Sequence, residues 1–312
     1  MNERQYAPII ITVYNRLYTL KKCIKSLLEN DMSIESDLYI ISDAAFRKED
    51  EEKVIEIREY IKEIEGFKSV NLIAHAHNMG AHDSCYDGIT QVLQKYETFI
   101  FLEDDIVVSK DFLQYLNAGL TYYKDDDYIY SISAFSLPFK IPSSYKKDIW
   151  FSPSYSPWGY ATWKEKFEKV DFGFYDRYSE LKKDKNEYNK FMSIGFYVKG
   201  ILRDDSKGKI EAGDVRVYYH MFQHRMSSVF PVTSKSQNIG FDGSGEHCDN
   251  SNAWWAKPEL NKQNKPTVFE PFVDYNEDIL KASRKFLDKI YGGIVAKYLK
   301  YTWIHDLYKK FK

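Results

Sequence analysis

The sequence predicts an α/β fold, in which a mostly parallel sheet flanked by helices is followed by an irregular region and a helical C-terminal tail. In the first hundred residues, four apolar, β-branched runs alternate with three segments whose apolar residues recur at helical spacing. Such a β-α-β-α-β-α-β order needs crossover connections, which place helices on both faces of a parallel sheet. Beyond about residue 128 this alternation ends, and Ser, Pro and aromatic residues become frequent.

Each predicted strand is a short apolar run that ends at polar residues. The first, Pro8–Tyr14, has three successive isoleucines, a pattern typical of a strand buried on both faces. The other predicted strands are Leu38–Asp43, Val70–His75 and Thr98–Leu102. The predicted helices cover residues 18–28, 48–65, 81–95, 174–204, 214–226 and 277–311.

The length of the chain fits one large domain or two modest ones, at roughly 100–200 residues per domain. We predict a main domain over residues 1–270, with halves at 1–127 and 128–270, and an amphipathic, basic tail over 271–312. The 44 basic and 46 acidic residues give a net charge of −2. That balance does not support binding to nucleic acid, which usually needs a basic surface.

Other classes of protein are disfavoured by what the sequence lacks. Its three cysteines, Cys23, Cys85 and Cys248, are too few and too scattered for a disulfide framework or a cysteine zinc site, which favours a reduced, cytoplasmic setting. No segment resembles a signal peptide or reaches the roughly 18 apolar residues that span a bilayer. The GxSxG, GxxxxGK[ST] and GxGxxG motifs of hydrolases, P-loop proteins and dehydrogenases are also missing.

Polar residues follow each of the first four predicted strands. They are Asn15 and Arg16, Asp43, the segment 77–80, and Glu103–Asp105. Ligands of open α/β sheets bind at the carboxyl ends of the strands. We therefore expect these four groups to converge on one crevice.

The three adjacent acids Glu103, Asp104 and Asp105 repel one another, so a fold that gathers them favours a bound cation. Mg²⁺ and Mn²⁺ prefer oxygen ligands and are often shared with a phosphate-bearing substrate. The alternative is an acidic N-terminus of the following helix, where carboxylates interact well with the helix dipole. Asp43 also has two interpretations, because it could accept a hydrogen bond from a ribose or base, or cap the next helix.

These segments resemble inverting nucleotide-sugar glycosyltransferases of the GT-A (Rossmann-like) fold. The likeness is greatest to the N-acetylglucosaminyltransferase I type and its bacterial relatives in surface-polysaccharide synthesis, and it covers roughly residues 8–250. The similar segments are IITVYNRLYTLKKCIKSL, IISDA, HNMGAHDSCYDGI, LEDDIVVSKDFLQYL, SPSYSPWGYATWKEKF, GDVRVYY and FDGSGEH.

The resemblance implies a role for individual residues. Asp105 would bind the metal ion, and Asp214 would be the catalytic base. Because Gly213 stands where bacterial relatives commonly have Trp, Asp204 and Asp205 remain alternative bases. The implied nucleotide-sugar-binding residues are Thr12, Asn15, Arg16, Asp43, Asn78, Gly80, Ser84, Glu103, Asp104, Trp158, Gly159 and Ser244.

The resemblance also implies the activity. We expect metal-dependent, inverting transfer of one sugar from a nucleotide-diphosphate donor, a UDP-sugar such as UDP-GlcNAc, to a carbohydrate acceptor in capsule or O-antigen synthesis. Mn²⁺ or Mg²⁺ would be the cofactor, residues 1–127 the nucleotide-binding half, and residues 128–270 the acceptor and catalytic half. The alternatives are a nucleotidyltransferase, although the first strand lacks a glycine-rich phosphate loop, and a non-catalytic sugar-binding protein.

The C-terminal tail has a charge pattern unlike that of the rest of the chain. Residues 277–312 contain nine basic and four acidic residues, a net charge of +5, with interleaved aromatic residues. Such a segment suits an anionic membrane surface, where each Lys or Arg contributes about 1 kcal/mol. This would bring a cytoplasmic enzyme to a lipid-linked acceptor at the inner face of the membrane. The alternative is a tail that packs on the catalytic domain or on a second subunit.

Overall fold

The computed structural model describes residues 5–194, 196–241, 253–262 and 265–290. Its first half alternates strands and helices, in the order β1 (Ile9–Val13), α1 (Leu17–Leu28), β2 (Asp37–Ser42), α2 (Glu51–Lys62), β3 (Ser69–Ala74), α3 (Ala81–Val92), β4 (Thr98–Glu103), β5 (Ile106–Val108) and α4 (Phe112–Tyr122). The second half contains β6 (Ile129–Ser133), β7 (Ile149–Ser152), β8 (Tyr160–Trp163), α5 (Lys164–Glu168), α6 (Arg177–Lys182), α7 (Lys185–Ile194), α8 (Phe196–Asp205), α9 (Gly213–Gln223), β9 (Ser227–Pro231), β10 (Ser236–Asn238) and α10 (Glu277–Ile290).

Eight strands form one mixed sheet in the order β3-β2-β1-β4-β8-β6-β9-β7. The pairs β3–β2, β2–β1, β1–β4 and β6–β9 are parallel, and β8 and β7 run antiparallel to their neighbours. The predicted α/β fold is therefore confirmed. The first four strands begin and end within one residue of their predicted bounds.

Strand β1 lies at the centre of the core because helices cover both faces of the sheet. Ile9 and Ile11 pack into an apolar cluster with Leu20 and Leu27 of α1. Ile10, which points to the opposite face, packs into a second cluster that includes residues of α3. All three isoleucines are fully buried, and each such side chain contributes about 1.5–3 kcal/mol to folding.

The chain reverses its direction of travel across the sheet at β1. Strands β2 and β3 extend the sheet to one side of β1, and β4 lies on the other. In sheets of this kind the ligand crevice opens at the carboxyl ends of the strands, where the order reverses. The topology thus puts the loop after β1 and the end of β4 at the mouth of the same crevice.

The acidic segment does not begin a helix, so that alternative interpretation is wrong. Glu103 is the last residue of β4, and the chain then turns at Asp104 and Asp105 into β5, which pairs with β10. Helix α4 starts only at Phe112, and its N-cap residue is Asp111. A helix dipole therefore cannot explain why the three acids are gathered.

The second half is more regular than the sequence suggests. Strands β6 to β9 extend the sheet, and the long helical pattern over 174–204 is divided into α6, α7 and α8. Short strands among loops are what the sequence predicts from residue 128, but their bounds could not be assigned because they are short and rich in serine. Ser131, Ser227 and Ser228 are fully buried there, and Ser131 and Ser228 hydrogen-bond to each other across β6 and β9.

Helix α10, the described part of the predicted tail, packs on the second half of the domain. Its Ile279 and Leu280 are buried against Phe139, Trp150 and Phe230. Residues 291–312 of the predicted tail lie outside the described residues. Within the described ranges, no helix has the length and apolar character needed to cross a membrane.

Candidate active site

The turn between β4 and β5 brings the acidic cluster against Arg16. The guanidinium of Arg16 donates to both carboxylate oxygens of Asp104, with an Nε–Oδ2 distance of 3.2 Å, and its Nη2 lies 2.8 Å from Asp105 Oδ2. Thr19 also donates to Asp104, at 3.0 Å. Asp104 and Asp105 are both only 3% exposed, so water screens these charges weakly.

The cluster carries more negative charge than Arg16 neutralises. Burial, together with the charges of Asp105 and Asp104, raises the pKa of Glu103 to about 8. Burial also raises the pKa of Asp104 to about 6, although Arg16 opposes the change. Burial works against the charge of Arg16 itself, but the two aspartates hold its pKa above the ordinary value.

The residue types of this cluster suit a hard divalent cation, although its carboxylates are not among the described groups whose ligand atoms all lie within 4.8 Å of one another. Glu103, Asp104 and Asp105 offer only carboxylate oxygens, which Mg²⁺ and Mn²⁺ prefer, and the excess negative charge favours a further cation. Gly240 closes one side of the cluster, where a Cβ atom would lie 2.0 Å from Asp105 Oδ2 and 3.1 Å from Arg16 Nη1. Only glycine allows the backbone to approach these side chains so closely. Gly240 is not among the residues that the sequence pattern singles out, although it lies in a glycine-rich segment.

Asp43 organises the loop before α3. Its carboxylate accepts hydrogen bonds from the backbone N–H groups of Ala44, Met79 and Gly80 at 2.8–3.0 Å and from the Asn78 side chain at 3.0 Å. Gly80 has a φ of +83°, which glycine adopts without strain. Asp43, Asn78 and Gly80 are therefore brought together, as the crevice requires. Asp43 does not cap the next helix, α2, whose N-cap is Asp50.

Ser84 lies behind this loop in a buried hydrogen-bond chain. Its Oγ is 3.0 Å from Nδ1 of His75, whose Nε2 is 3.0 Å from Asp87. Arg58 donates to the carbonyl oxygens of Ser42, Asp43 and His75, and so ties the ends of β2 and β3 together. This chain supports the loop from the protein side.

Asn15 and Thr12 hold positions at the end of β1. Asn15 donates to Asp50 at 2.8 Å, and this hydrogen bond is the main cause of a lowered pKa of Asp50. Tyr14 also donates to Asp50 and accepts from the backbone N–H of Phe46. These bonds fix the segment after β2 beside the loop after β1. Thr12, which is half-buried, pairs in register with Ile41 on one side and Glu103 on the other.

Trp158 and Gly159 lie directly before β8, in the second half of the domain. The Trp158 ring stacks on Trp255 at a centroid distance of 5.7 Å and meets Phe135 edge-on at 4.7 Å. Gly159 has a φ of +89° and packs against Phe112 and Leu102. Ser244, the remaining predicted donor-binding residue, lies outside the described residues.

Asp214 lies in the first turn of α9 and lines a cavity of about 170 Å³. Trp158 and Trp255 line the same cavity. Trp158, which lines this cavity, is followed by Gly159, which packs against Leu102, the residue before Glu103, so the cavity and the acidic cluster are neighbours.

The two alternative bases have other contacts. Asp205 is fully buried and forms an ion pair with Arg216, at 2.9 Å. Asp204 accepts a hydrogen bond from Arg203 at 2.9 Å. Neither aspartate lines the cavity that contains Asp214.

A second group of metal-ligand types lies on the surface beside α3. Ligand atoms of His82, Asp83 and Glu211 are all within 4.8 Å of one another. Asp83 and Glu211 are exposed, and Glu211 also lies 3.7 Å from Arg216. This group carries less negative charge than the cluster at the end of β4 and is more exposed to solvent.

Comparison with known proteins identifies the family. Residues 9–181, more than half of the chain, match the model described as glycosyl transferase family 2. The chain belongs to this family. The expectation of a glycosyltransferase is thereby confirmed for this family 2 domain. The narrower likeness to the N-acetylglucosaminyltransferase I type, and the role of each residue, stay predictions.

Solved structures show partial likeness to this family 2 glycosyltransferase. S. aureus TarS matches with a TM-score of 0.46 and 12% identity, over 76% of this chain and 37% of that one. GalNAc-T7 with UDP, GalNAc and Mn²⁺ matches with a TM-score of 0.46 and 15% identity, over 74% of this chain and 43% of that one. The chain thus covers less than half of either structure, and likeness at this level carries no information about substrates. No curated protein sequence matches.

Proposed function

We propose that this family 2 protein is a metal-dependent, inverting glycosyltransferase that moves one sugar from a UDP-sugar to a carbohydrate acceptor. The observation that carries the proposal is the closeness of two features: the buried acidic cluster at the end of β4 and the cavity that contains Asp214. One offers ligands for the charged part of a donor, and the other offers a carboxylate for an acceptor hydroxyl.

The acidic cluster would hold the cofactor. Asp105, with Glu103 and Asp104 beside it, would bind Mn²⁺ or Mg²⁺, which as a Lewis acid would neutralise negative charge on the leaving nucleoside diphosphate. Arg16 already lies against Asp104 and Asp105, so its guanidinium supplies a second positive charge on the same side of the crevice. The diphosphate of the donor would therefore contact the bound metal ion and Arg16, although the residues at the end of β4 are acidic.

The nucleoside would bind beside the loop that Asp43 organises. A carboxylate has about four lone-pair sites for hydrogen bonds, and donors of the protein itself already engage both oxygens of Asp43. Asp43 would therefore act mainly by fixing residues 78–80 at the edge of the crevice. The choice of uridine follows from the resemblance of IISDA and HNMG to segments of UDP-sugar enzymes.

Asp214 is proposed as the general base. A carboxylate within reach of an acceptor hydroxyl takes its proton as the oxygen attacks the anomeric carbon, and the nucleoside diphosphate leaves from the opposite face. A single displacement of this kind inverts the configuration. Asp205 suits the role less, because its carboxylate is fully buried and paired with Arg216.

Release of UDP tests the proposed activity. The protein with Mn²⁺ would be incubated with a panel of UDP-sugars, and free UDP would be measured with and without added glycans. Slow, metal-dependent release from a UDP-sugar is expected, together with a larger thermal stabilisation by UDP than by GDP or CDP. Release of pyrophosphate from a nucleoside triphosphate would indicate a nucleotidyltransferase instead, and neither reaction would indicate a sugar-binding protein.

The wider setting is also part of the proposal. A cytoplasmic enzyme that extends capsule or O-antigen precursors would meet its acceptor at the inner face of the membrane. The basic composition of residues 277–312 supports such a place, since anionic lipid attracts Lys and Arg.

A further inference from the structure

The cavity beside Asp214 has room for one sugar ring. Its volume is about 170 Å³, and an engineered protein cavity of about 150 Å³ holds one molecule of benzene. A pyranose ring is similar in size. The site can therefore receive the ring of one acceptor residue, or one of its substituents, while the rest of the glycan stays outside.

The walls of the cavity are mostly aromatic. Three indole rings, those of Trp150, Trp158 and Trp255, line it together with Tyr155 and Tyr218. Tyr218 donates to the backbone carbonyl of Tyr155, which holds its ring in place. Such walls bury the C–H face of a sugar or an apolar substituent, and they suit a ring whose polar groups are few.

Charge in the cavity is one-sided. Of the described side chains that line it, Asp214 is the only charged one, and hydroxyl groups come from Ser154, Ser156 and Ser283. A sugar carboxylate would enter beside Asp214, with no Lys, Arg or His among the described lining residues to balance it. Like charges a few ångströms apart, shielded from water, repel strongly.

Helix α10 contributes two residues to the lining of the cavity. Ile279 and Leu280 anchor the helix in an apolar cluster that contains Trp150, and the next turns present Ser283 and Leu287 to the cavity. Leu287 is thus an apolar lining residue with no charge to balance a sugar carboxylate. The C-terminal helix thereby contributes to the choice of substrate.

We propose that the acceptor residue bound in this cavity is a neutral sugar with an apolar substituent, a 6-deoxy or N-acetylated hexose, and that Leu287 helps to exclude uronic acids. This inference rests on the proposed function, because it assigns the cavity to the acceptor. It is specific to the chemistry of the cavity and independent of which nucleotide the donor contains.

Saturation-transfer NMR with three methyl glycosides tests it. The full chain with UDP and Mn²⁺ would be mixed in turn with the N-acetyl-β-D-glucosaminide, the α-L-fucoside and the β-D-glucuronide. We expect signals from the acetyl and 6-methyl protons of the first two, and binding of the glucuronide at least about 10-fold weaker, as like-charge repulsion requires. Leu287→Lys should bring the glucuronide to equal or better binding than the neutral glycosides. Asp288→Lys, on the exposed side of the same helix, should leave the order unchanged.

The outcomes separate this inference from the function on which it rests. Equal binding of all three glycosides by the wild type, binding of none of them, or an unchanged order in Leu287→Lys would overturn the inference. Thermal stabilisation by UDP is measured on the same samples. If UDP stabilises the wild type and Leu287→Lys but the glycosides give one of these contrary results, only the assignment of the cavity to the acceptor is wrong. If UDP does not stabilise the wild type, the proposed function is refuted.

Discussion

Arg16 donates to Asp104, which lies 88 residues further along the chain, and the same guanidinium contacts Asp105. This contact joins the loop after β1 to the turn after β4, across the point where the sheet reverses its order. Because the three side chains are largely buried, the arginine neutralises charge that water cannot screen. The contact therefore contributes both to the stability of the fold and to the shape of the proposed donor site.

Arg16→Gln should destabilise the protein. Removal of one partner of a buried ion pair typically costs about 3–5 kcal/mol, because the remaining charge is left without compensation. Added Mn²⁺ should restore part of the loss, since a divalent cation can replace the missing positive charge. Thermal unfolding with and without Mn²⁺ measures both effects. Arg47→Gln, which removes an exposed pair with Glu49, should change neither. Equal stability of Arg16→Gln and the wild type would contradict the assigned role.

Asp105→Ala should nearly abolish transfer and remove the metal-dependent part of UDP binding, while the fold is retained. Asp105 is the proposed metal ligand, and an excess of chelator should have the same effect on the wild type. UDP release and isothermal titration with UDP and Mn²⁺ are the measurements. The matched control is Asp83→Asn, which disrupts the surface group of His82, Asp83 and Glu211. If that variant loses metal dependence and Asp105→Ala does not, the metal site has been assigned to the wrong cluster.

Asp214→Asn should keep donor binding and lose transfer by about 10²-fold or more, the scale of a missing general base. Asp204→Asn should remain active, because Asp204 is paired with Arg203 outside the cavity. Asp205→Asn should instead lower the free energy of unfolding, since it weakens a fully buried ion pair with Arg216. An active Asp214→Asn beside an inactive, well-folded Asp204→Asn would identify a different base.

The first half of the fold could be predicted because its sequence pattern and its packing agree. The isoleucines of β1 read as a strand buried on both faces, and helices do cover both faces. The strand-end positions of Arg16, Asp43 and Glu103 then follow from the topology alone. The sequence does not predict which of these polar groups hydrogen-bond to each other. Asp43, for example, accepts hydrogen bonds from the backbone of Met79 and Gly80.

The second half was harder to predict because long-range contacts determine it. Strands β6 and β9 carry buried serines, and Ser131 and Ser228 hydrogen-bond to each other across the two strands, so their local pattern is not that of an apolar strand. Gly240 was missed for a related reason. Its requirement for glycine comes from Asp105, more than a hundred residues earlier, and no local turn pattern reveals that contact.

His220 should make the protein less stable in acid. Burial, and then the nearby His224, lower the pKa of His220 to about 4, below its ordinary value of about 6.5. Below pH 6.5 the unfolded chain therefore binds a proton at His220, whereas the folded protein does not bind it until the pH falls to about 4. The stability that neutral His220 contributes is fully present above pH 6.5. It is lost as the pH falls from 6.5 to about 4, by up to about 3 kcal/mol.

The variant His220→Phe isolates this effect. Relative to the wild type, its free energy of unfolding should rise by up to about 3 kcal/mol between pH 7 and pH 4, whatever its stability at neutral pH. Urea unfolding at a series of pH values measures the difference. His224→Gln, at the exposed C-cap of the same helix, should give a smaller change. A constant difference between His220→Phe and the wild type across this range would show that His220 titrates normally.

The proposed binding of the tail to anionic lipid needs a truncation that leaves α10 in place. Ile279 and Leu280 of this helix are buried against the domain, and Ser283 and Leu287 line the proposed acceptor cavity. A chain that ends at residue 276 should therefore unfold more easily and lose the cavity wall, whatever the tail does with lipid.

A chain that ends at Ile290 keeps the helix and removes residues 291–312, which contain five lysines and one aspartate. We expect this shorter chain to lose most of its sedimentation with phosphatidylglycerol vesicles at low salt, while UDP still stabilises it. Added salt should weaken binding of the full chain, because each lysine near the surface contributes about 1 kcal/mol through screened charge. Vesicles of phosphatidylcholine are the matched control. Equal sedimentation of both chains, or none by the full chain, would assign the last residues to packing or assembly instead.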